Sequence, residues 1–178
     1  MILCALLVAA LVLPPAVFER GPATPAPEPE RSARAAFEKF KALEGRWVGE
    51  STRGWKEEVS FKTIAQGSAV LQTSFDAHPG ETMVTLISVN GDALDLTHYC
   101  VAGNQPHLRA TGFEDGGREV TFTFVDAGNL PGRDKGHMDK AVFRFEDADR
   151  FSSRWTWYQD GQERWMEEIR LTRKKPLP

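Results

Sequence analysis

The feature that most constrains this chain is a hydrophobic alternation with a period of two, which begins after Gly45 and continues almost to the end. Segment 56–63 alternates through Val59 and Phe61, and segment 119–125 repeats the pattern. A period of two is typical of strands that bury one face. We predict ten strands, at 46–50, 56–63, 69–75, 82–89, 93–101, 107–113, 119–125, 138–145, 150–158 and 163–172.

Most connections between these strands are short. Asn90-Gly91 is the strongest short hairpin signal, and Asp160-Gly161 joins the last two strands. Strands joined by short turns pair antiparallel with their neighbours. The pattern therefore indicates an all-β fold, either a sandwich or an up-and-down barrel of about ten strands, and we favour the barrel. The longest loop, 126–136, is either a lid over the barrel mouth or an ordinary surface loop.

One segment before the strands has helical spacing. Ala36, Phe37, Phe40 and Leu43 recur on one face, and Ser32 stands where a helix N-cap is expected. The helix is predicted to end near Gly45 and to plug or cap one end of the barrel.

The first thirty-one residues are predicted not to belong to the barrel domain. Residues 1–18 carry no charged side chain and contain an apolar run that is short for a membrane span, which predicts a signal peptide or, alternatively, an uncleaved anchor. Residues 19–31 form a Pro/Ala-rich tether, 32–173 a single domain and 174–178 a tail. We expect an exported protein, periplasmic or extracellular. Once the leader is removed, Cys100 is the only cysteine, which excludes an internal disulfide.

The entry to the first strand resembles a known superfamily. Gly45 and Trp47 match the G-x-W start of calycins, which include lipocalins, fatty-acid-binding proteins and nitrobindins. The resemblance implies that Trp47 closes the barrel floor against a basic residue of the last strand, for which Arg170 and Arg173 are the candidates. Nitrobindins extend the motif to G-x-W-x-G-x-G, whose second glycine is Gly49 here.

The likeness departs from nitrobindins at Ser51, where the third glycine would fall. Segments 96–106 and 153–161 resemble an uncharacterised bacterial lipocalin-like family of unknown function, and this likeness covers most of the predicted domain. The resemblance therefore implies a fold but no specific activity.

A set of polar residues stands in and after the fifth strand. His98 and Cys100 share the apolar face of that strand, which points them into the barrel. We expect these two, with Asn104, Gln105, His107 and Arg109, to contact the polar group of a ligand. The alternative is that His98 is a satisfied core histidine and that Asn104-Gln105 shape a turn.

Aromatic residues supply the walls of the expected cavity. Phe122 and Phe124 alternate on one strand, and Trp155 and Trp157 on another. A closed barrel of this size can hold one small ligand, although the same rings could instead fill the interior.

The sequence gives little support for a catalytic site, a metal site or a bound cofactor. Glu163, Glu167 and Glu168 are expected to be solvated, and Cys100 to act as a small buried hydrophobe. No metal-binding motif is present, and we predict no cofactor. The nitrobindin resemblance would imply a haem held by a histidine near the last strands. This chain has no histidine after His137, so haem ligation would need His98 or His107 in another pose.

The expected function is binding of a small, partly apolar ligand in the barrel. The alternatives are a haem-binding nitrobindin-like protein or barrel enzyme, and a non-catalytic protein-interaction module. The net charge of −3 indicates no nucleic-acid partner. We expect the protein to contact a membrane only through the leader. The expected partner is thus a small hydrophobic or amphipathic molecule.

Overall fold

The computed structural model describes residues 28–76 and 80–175. The predicted leader, most of the tether and the last three residues of the tail lie outside the described residues. One helix precedes ten strands: α1 Glu28–Ala42, β1 Gly45–Ser51, β2 Lys56–Ile64, β3 Ala69–Asp76, β4 Met83–Asn90, β5 Ala93–Tyr99, β6 Gln105–Glu114, β7 Glu119–Gly128, β8 His137–Phe145, β9 Arg150–Gln159 and β10 Gln162–Arg173.

The strands form a closed barrel in which every neighbouring pair is antiparallel. Consecutive strands pair in chain order, and β1 pairs with β10 to close the ring, with Trp47 opposite Arg173. The prediction of an up-and-down antiparallel barrel of ten strands with an N-terminal helix is confirmed. The sandwich is excluded, because a closed ring leaves no second sheet.

The described part of α1 begins at Glu28, four residues before the expected cap at Ser32. Ser32 is an internal helical residue whose hydroxyl donates to Glu28 Oε1 at 2.9 Å. An N-cap side chain accepts a hydrogen bond from a main-chain N–H of the first turn, and the Ser32 hydroxyl does not do this because it donates to a side chain one turn earlier. No helix of the described residues is both long and apolar enough to cross a membrane.

Helix α1 fills the end of the barrel where the chain enters β1. Phe40 is fully buried, and its ring packs edge-on against Phe122, Phe143 and Phe145 at centroid distances of 6.0, 5.1 and 5.0 Å. Edge-to-face rings at these distances are favourable beyond the area they bury. The half of the interior next to α1 is therefore solid core.

Trp47 and Arg173 join the helix to the closure of the barrel. The Trp47 indole donates from Nε1 to the main-chain oxygen of Leu43 at 2.7 Å, and the Arg173 guanidinium lies 4.2 Å from the indole centroid. Arg173 also donates to the main-chain oxygens of Ala42 and Glu44 at 3.0 and 2.8 Å. The carbonyl of Ala42 belongs to the last turn of α1 and that of Glu44 follows it, where acceptors lack helical partners and a cation is favourable.

Arg170, the other candidate for this role, lies on the outer surface and pairs with Glu168 at 2.8 Å. The main chain of Arg170, and not its side chain, takes part in the closure of the barrel. A Cβ added at Gly49 would collide with the carbonyl oxygen of Arg170. Gly49 therefore lets β1 and β10 approach closely at the closure.

Candidate functional site

The half of the barrel away from α1 contains a cavity of about 620 Å³. It opens between the β1–β2 and β5–β6 turns, where Arg53 and Val101 contribute to its lining. Its apolar wall is formed mainly by Trp55, Met83, Met138, Trp155, Trp157 and Ile169. A volume of a few hundred Å³ with predominantly apolar walls is typical of a small-molecule site.

The floor of the cavity is a contact between two rings from distant strands. The centroids of His98 on β5 and Trp155 on β9 lie 5.0 Å apart with an interplanar angle of 42°. Trp155 rests in turn on Phe143, at 5.9 Å and 77°. Because Phe143 packs against Phe40, this column of rings separates the cavity from the core beneath α1.

Three polar residues form a row across the inner face of β3, β4 and β5. Gln72 is directly opposite Thr85, and Thr85 is directly opposite His98. Thr85 Oγ1 and His98 Nδ1 share a hydrogen bond of 2.9 Å. Directly opposed residues of antiparallel strands point to the same face, so all three side chains face the interior of the barrel.

Two atoms of this row lack partners among the described residues. They are His98 Nε2 and Gln72 Oε1, and both side chains line the cavity at 4% exposure. Burial lowers the pKa of His98 to about 4, so its imidazole is neutral at neutral pH. A buried polar atom without a partner costs about 1–3 kcal/mol, which a ligand or water that bonds it would offset.

Two acidic residues also belong to the polar lining. Glu57 shares the inner face of β2 with Val59 and Phe61, and Glu167 lies on β10 opposite Trp155. Both are buried, whereas we expected Glu167 to be solvated.

Strict alternation along β10 would place Glu163 and Glu167 on one face, but the structure separates them. The register of β10 shifts between Trp165 and Glu167, which inserts an extra residue and reverses the alternation. Glu163 is exposed and pairs with Lys140 at 3.1 Å, while Glu167 faces the cavity.

Among the expected ligand contacts, His98, Cys100, Trp155 and Trp157 all line the cavity. Cys100 lies beside the mouth, and burial raises the pKa of its thiol. A raised pKa keeps the thiol protonated and is the opposite of what an activated nucleophile needs. Within the described residues, no three His, Cys, Asp or Glu side chains group as metal ligands.

Asn104 and Gln105 shape the turn between β5 and β6. Asn104 donates from Nδ2 to the main-chain oxygen of Gly136 at 2.8 Å, and Gln105 donates to that of Gly103 at 3.2 Å. Neither is among the residues that line the cavity. Gln105 thus bonds within its own turn, and Asn104 ties that turn to the end of the β7–β8 loop.

His107 and Arg109 lie on the outside of the barrel, away from the expected ligand. The buried residues of β6 are Pro106 and Leu108, so alternation turns their neighbours outward. Arg109 pairs with Asp95 through two bonds of 2.7 and 2.9 Å, and His107 lies between Asp95 and Asp126 at 3.4 and 3.3 Å. The Arg109 guanidinium lowers the pKa of Asp95 to about 2.

Phe122 and Phe124 do not line the cavity either. Phe122 belongs to the solid half of the barrel, because Phe40 occupies the space beside it. Phe124 packs against the fully buried ring of His137 at 4.6 Å, and the Arg133 guanidinium lies 4.4 Å from the Phe124 centroid.

Arg133 anchors the loop between β7 and β8, for which the sequence leaves open a lid or an ordinary surface loop. Its guanidinium stacks on Tyr158 at 3.9 Å and contacts both His137 and Asp139. Asn129 donates to the main-chain oxygen of Gly103 at 2.6 Å at the start of the loop. The main-chain oxygen of Asp134 accepts from the amide of Asp160 at 2.8 Å, so the loop is tied to the β5–β6 and the β9–β10 turns.

The sequence interpretation overlooked several lining residues, chiefly Glu57, Gln72 and Met138. The inward direction of Gln72 could have been predicted from the sequence. Gln72 is two residues from the buried Val70 and so occupies an inward position of the alternation. Glu57 stands in the same relation to Val59.

Comparison with known proteins leaves the chain without an assigned family. No family model matches it, and no curated protein does. A solved structure from Nostoc punctiforme, a DUF3598-family protein of unknown function, is a distant match at 10% sequence identity and a TM-score of 0.46. The match covers 75% of this chain and 47% of that one, so the chain spans about half the length of that protein.

Proposed function

We propose that the protein binds a small, partly apolar molecule in the open half of the barrel. The observation that carries this proposal is a pair of buried atoms that have no partner among the described residues, His98 Nε2 and Gln72 Oε1, on the wall of a cavity of about 620 Å³. Trp155 and Trp157 give the ligand an apolar surface, and the two polar atoms orient its head group. The closed antiparallel barrel provides an enclosed interior for such a ligand.

The experiment combines native mass spectrometry with a titration by the uncharged fluorophore Nile red. We expect a co-purifying mass that is lost on denaturation, or saturable Nile red binding to the empty protein. Ser153→Phe places a ring in the cavity, because Ser153 is buried and lines it, and should abolish Nile red binding. Thr156→Phe adds the same ring on the outer face of β9 and should leave binding unchanged.

If Ser153→Phe does not fold, Met83→Trp narrows the cavity from a partly exposed position. Equal binding by the wild type and both filling variants would show that the probe binds elsewhere. That result, with no co-purifying mass, would overturn the proposal.

Haem ligation is the second candidate, and His98 is the residue that favours it. His98 is the histidine that lines the cavity, and its Nε2 has no partner within the described residues. His137, the last histidine of the chain, is fully buried beside Phe124 and Arg133, so it does not supply the ligand that the nitrobindin resemblance would imply. Haem, if bound, would thus be held through His98.

A hemin titration tests this candidate. A shifted Soret band in the wild type that His98→Ala removes would support it. An unshifted band in the wild type would eliminate it.

A further inference from the structure

We infer that the head group of the ligand is a carboxamide, whose carbonyl accepts a hydrogen bond from His98 Nε2 and whose N–H donates one to Gln72 Oε1. This inference rests on the proposed function and adds the chemical class of the head group. It is argued from the direction of the hydrogen bond between Thr85 and His98, from the acceptor on Gln72, and from the order of these residues across β3, β4 and β5.

His98 presents a hydrogen-bond donor to the cavity. The buried Thr85 hydroxyl shares a bond of 2.9 Å with His98 Nδ1, and no second bond of this hydroxyl occurs within the described residues. If Nδ1 were the donor, the hydroxyl proton would be buried without an acceptor, which is costly. The hydroxyl therefore donates to Nδ1. Because burial keeps the imidazole neutral at neutral pH, its one proton is then on Nε2.

Gln72 presents an acceptor on the same side of the interior. Its side chain is buried and lines the cavity, and its Oε1 has no partner among the described residues. An amide oxygen accepts hydrogen bonds and cannot donate them. Thr85 stands between Gln72 and His98, and the two free atoms make no hydrogen bond to each other. The wall thus offers a ligand one donor and one acceptor that are complementary but separate.

These two atoms discriminate among head groups by the hydrogen bonds that each group can make. A carboxylate or an ester has only acceptors, so it bonds His98 Nε2–H and leaves Gln72 Oε1 without a donor. An ammonium group has only donors and leaves Nε2–H without an acceptor. Each of them leaves one buried polar atom unpaired, and an unpaired buried atom costs affinity. A carboxamide has one group of each kind and satisfies both atoms.

The spacing of the two atoms favours a carboxamide over a hydroxyl, which can also donate and accept. Gln72 and His98 stand on strands two places apart, and neighbouring strands lie about 4.8 Å apart. A hydroxyl has to make both bonds at one oxygen. A carboxamide makes them at two atoms about 2.3 Å apart, so it reaches further across Thr85.

The test compares four ligands with one naphthalene body, which has no hydrogen-bonding group of its own: N-methylnaphthaleneacetamide, methyl naphthaleneacetate, naphthaleneacetate and naphthylethylamine. The amide and the ester have nearly the same shape and differ by the exchange of N–H for oxygen. Binding to the full chain is measured by isothermal titration calorimetry at neutral pH. We expect the amide to bind about tenfold more tightly than the ester, and more tightly than the acid and the amine.

Gln72→Met removes the acceptor and keeps a side chain of similar length. It should lower the affinity for the amide about tenfold, to that for the ester, and leave the affinity for the ester unchanged. The empty variant should be at least as stable as the wild type, because a buried polar atom without a partner in the described part of the chain is lost. Gln105→Met is the matched control outside the cavity and should preserve the preference for the amide.

His98→Phe tests the donor separately. It keeps a ring beside Trp155 and removes Nε2–H, so it should weaken the amide and the ester by a similar factor, because both carry a carbonyl. If this variant does not fold, Gln72→Met and the wild-type ranking of the four ligands decide.

Three results would overturn this inference: equal binding of the amide and the ester, tighter binding of the acid or the amine, or a preference for the amide that Gln72→Met leaves intact. Each of them leaves the proposed function standing, because Ser153→Phe tests separately whether binding occurs in the cavity. Binding of none of the four ligands also overturns the inference, and the proposed function then depends on the mass spectrum and on Nile red.

Discussion

His98 and Trp155 are 57 positions apart in the chain and stand on strands four places apart around the ring, yet their ring centroids lie 5.0 Å apart inside the barrel. This contact spans the interior. Below it the rings of Phe143 and Phe40 continue into the core, and above it lies the cavity. The position of this contact therefore decides how much of the interior can receive a ligand.

The buried imidazole makes stability depend on pH. The pKa of His98 is about 4 in the folded protein, against about 6.5 when exposed. As the pH falls from 6.5 to 4, the unfolded chain binds a proton at this site and the folded chain does not. The free energy of unfolding should then fall by about 3 kcal/mol across this window. Urea unfolding of the wild type and of His98→Gln at a series of pH values measures the difference.

His98→Gln keeps a hydrogen-bonding group beside Thr85 and removes the titration, so the two pH profiles should diverge between pH 6.5 and 4. Asp95 does not interfere, because its pKa is lowered to about 2 and its stabilisation is lost only as the pH falls below about 4. Parallel profiles above pH 4 would contradict the prediction.

The closure of the barrel depends on Arg173 and not on Arg170. Arg173→Met removes a cation over the Trp47 indole and hydrogen bonds to the carbonyls at the end of α1. We expect it to lower the free energy of unfolding by about 2–3 kcal/mol, as measured in urea. Arg170→Met removes only an exposed pair with Glu168 and should cost less than about 0.5 kcal/mol. Equal costs for the two variants would show that the contacts of Arg173 do not close the barrel.

The loop between β7 and β8 should open when Arg133 is removed. Arg133→Met eliminates the stacking on Phe124 and Tyr158 and the ion pair with Asp139. We expect local opening to become easier by about 2 kcal/mol, or about thirtyfold in amide exchange rate.

The amide of Asp160 reports this opening, because it donates to the main-chain oxygen of Asp134 at 2.8 Å. Hydrogen exchange at this amide should accelerate in Arg133→Met. Lys135→Met alters an exposed residue of the same loop and should leave the exchange unchanged. An unaltered rate in Arg133→Met would mean that the turns alone hold the loop.

The sequence predicts correctly which side chains line the cavity where the alternation of a strand is unbroken, and it misplaces Glu167, which follows a register shift. His98, Cys100, Trp155 and Trp157 follow an unbroken alternation to the inner face, so their direction could be predicted. Glu167 could not be placed in this way, because a register shift precedes it on β10. Register shifts of this kind leave little mark in the residue pattern, yet each one exchanges the inner and outer faces beyond it.

Local physics determined the ten strands and the helix. Side-chain alternation, hairpin turns such as Asn90-Gly91 and helical spacing around Phe40 are short-range patterns that a sequence states directly. Only the tertiary structure decided that Phe40 fills one half of the barrel, and that Gln72, Glu57 and Glu167 converge on the other half. The reason is closure, because the pairing of β1 with β10 brings distant strands around one interior. The aromatic rings that meet there fill one half of that interior, and within the described residues the cavity lies in the other half.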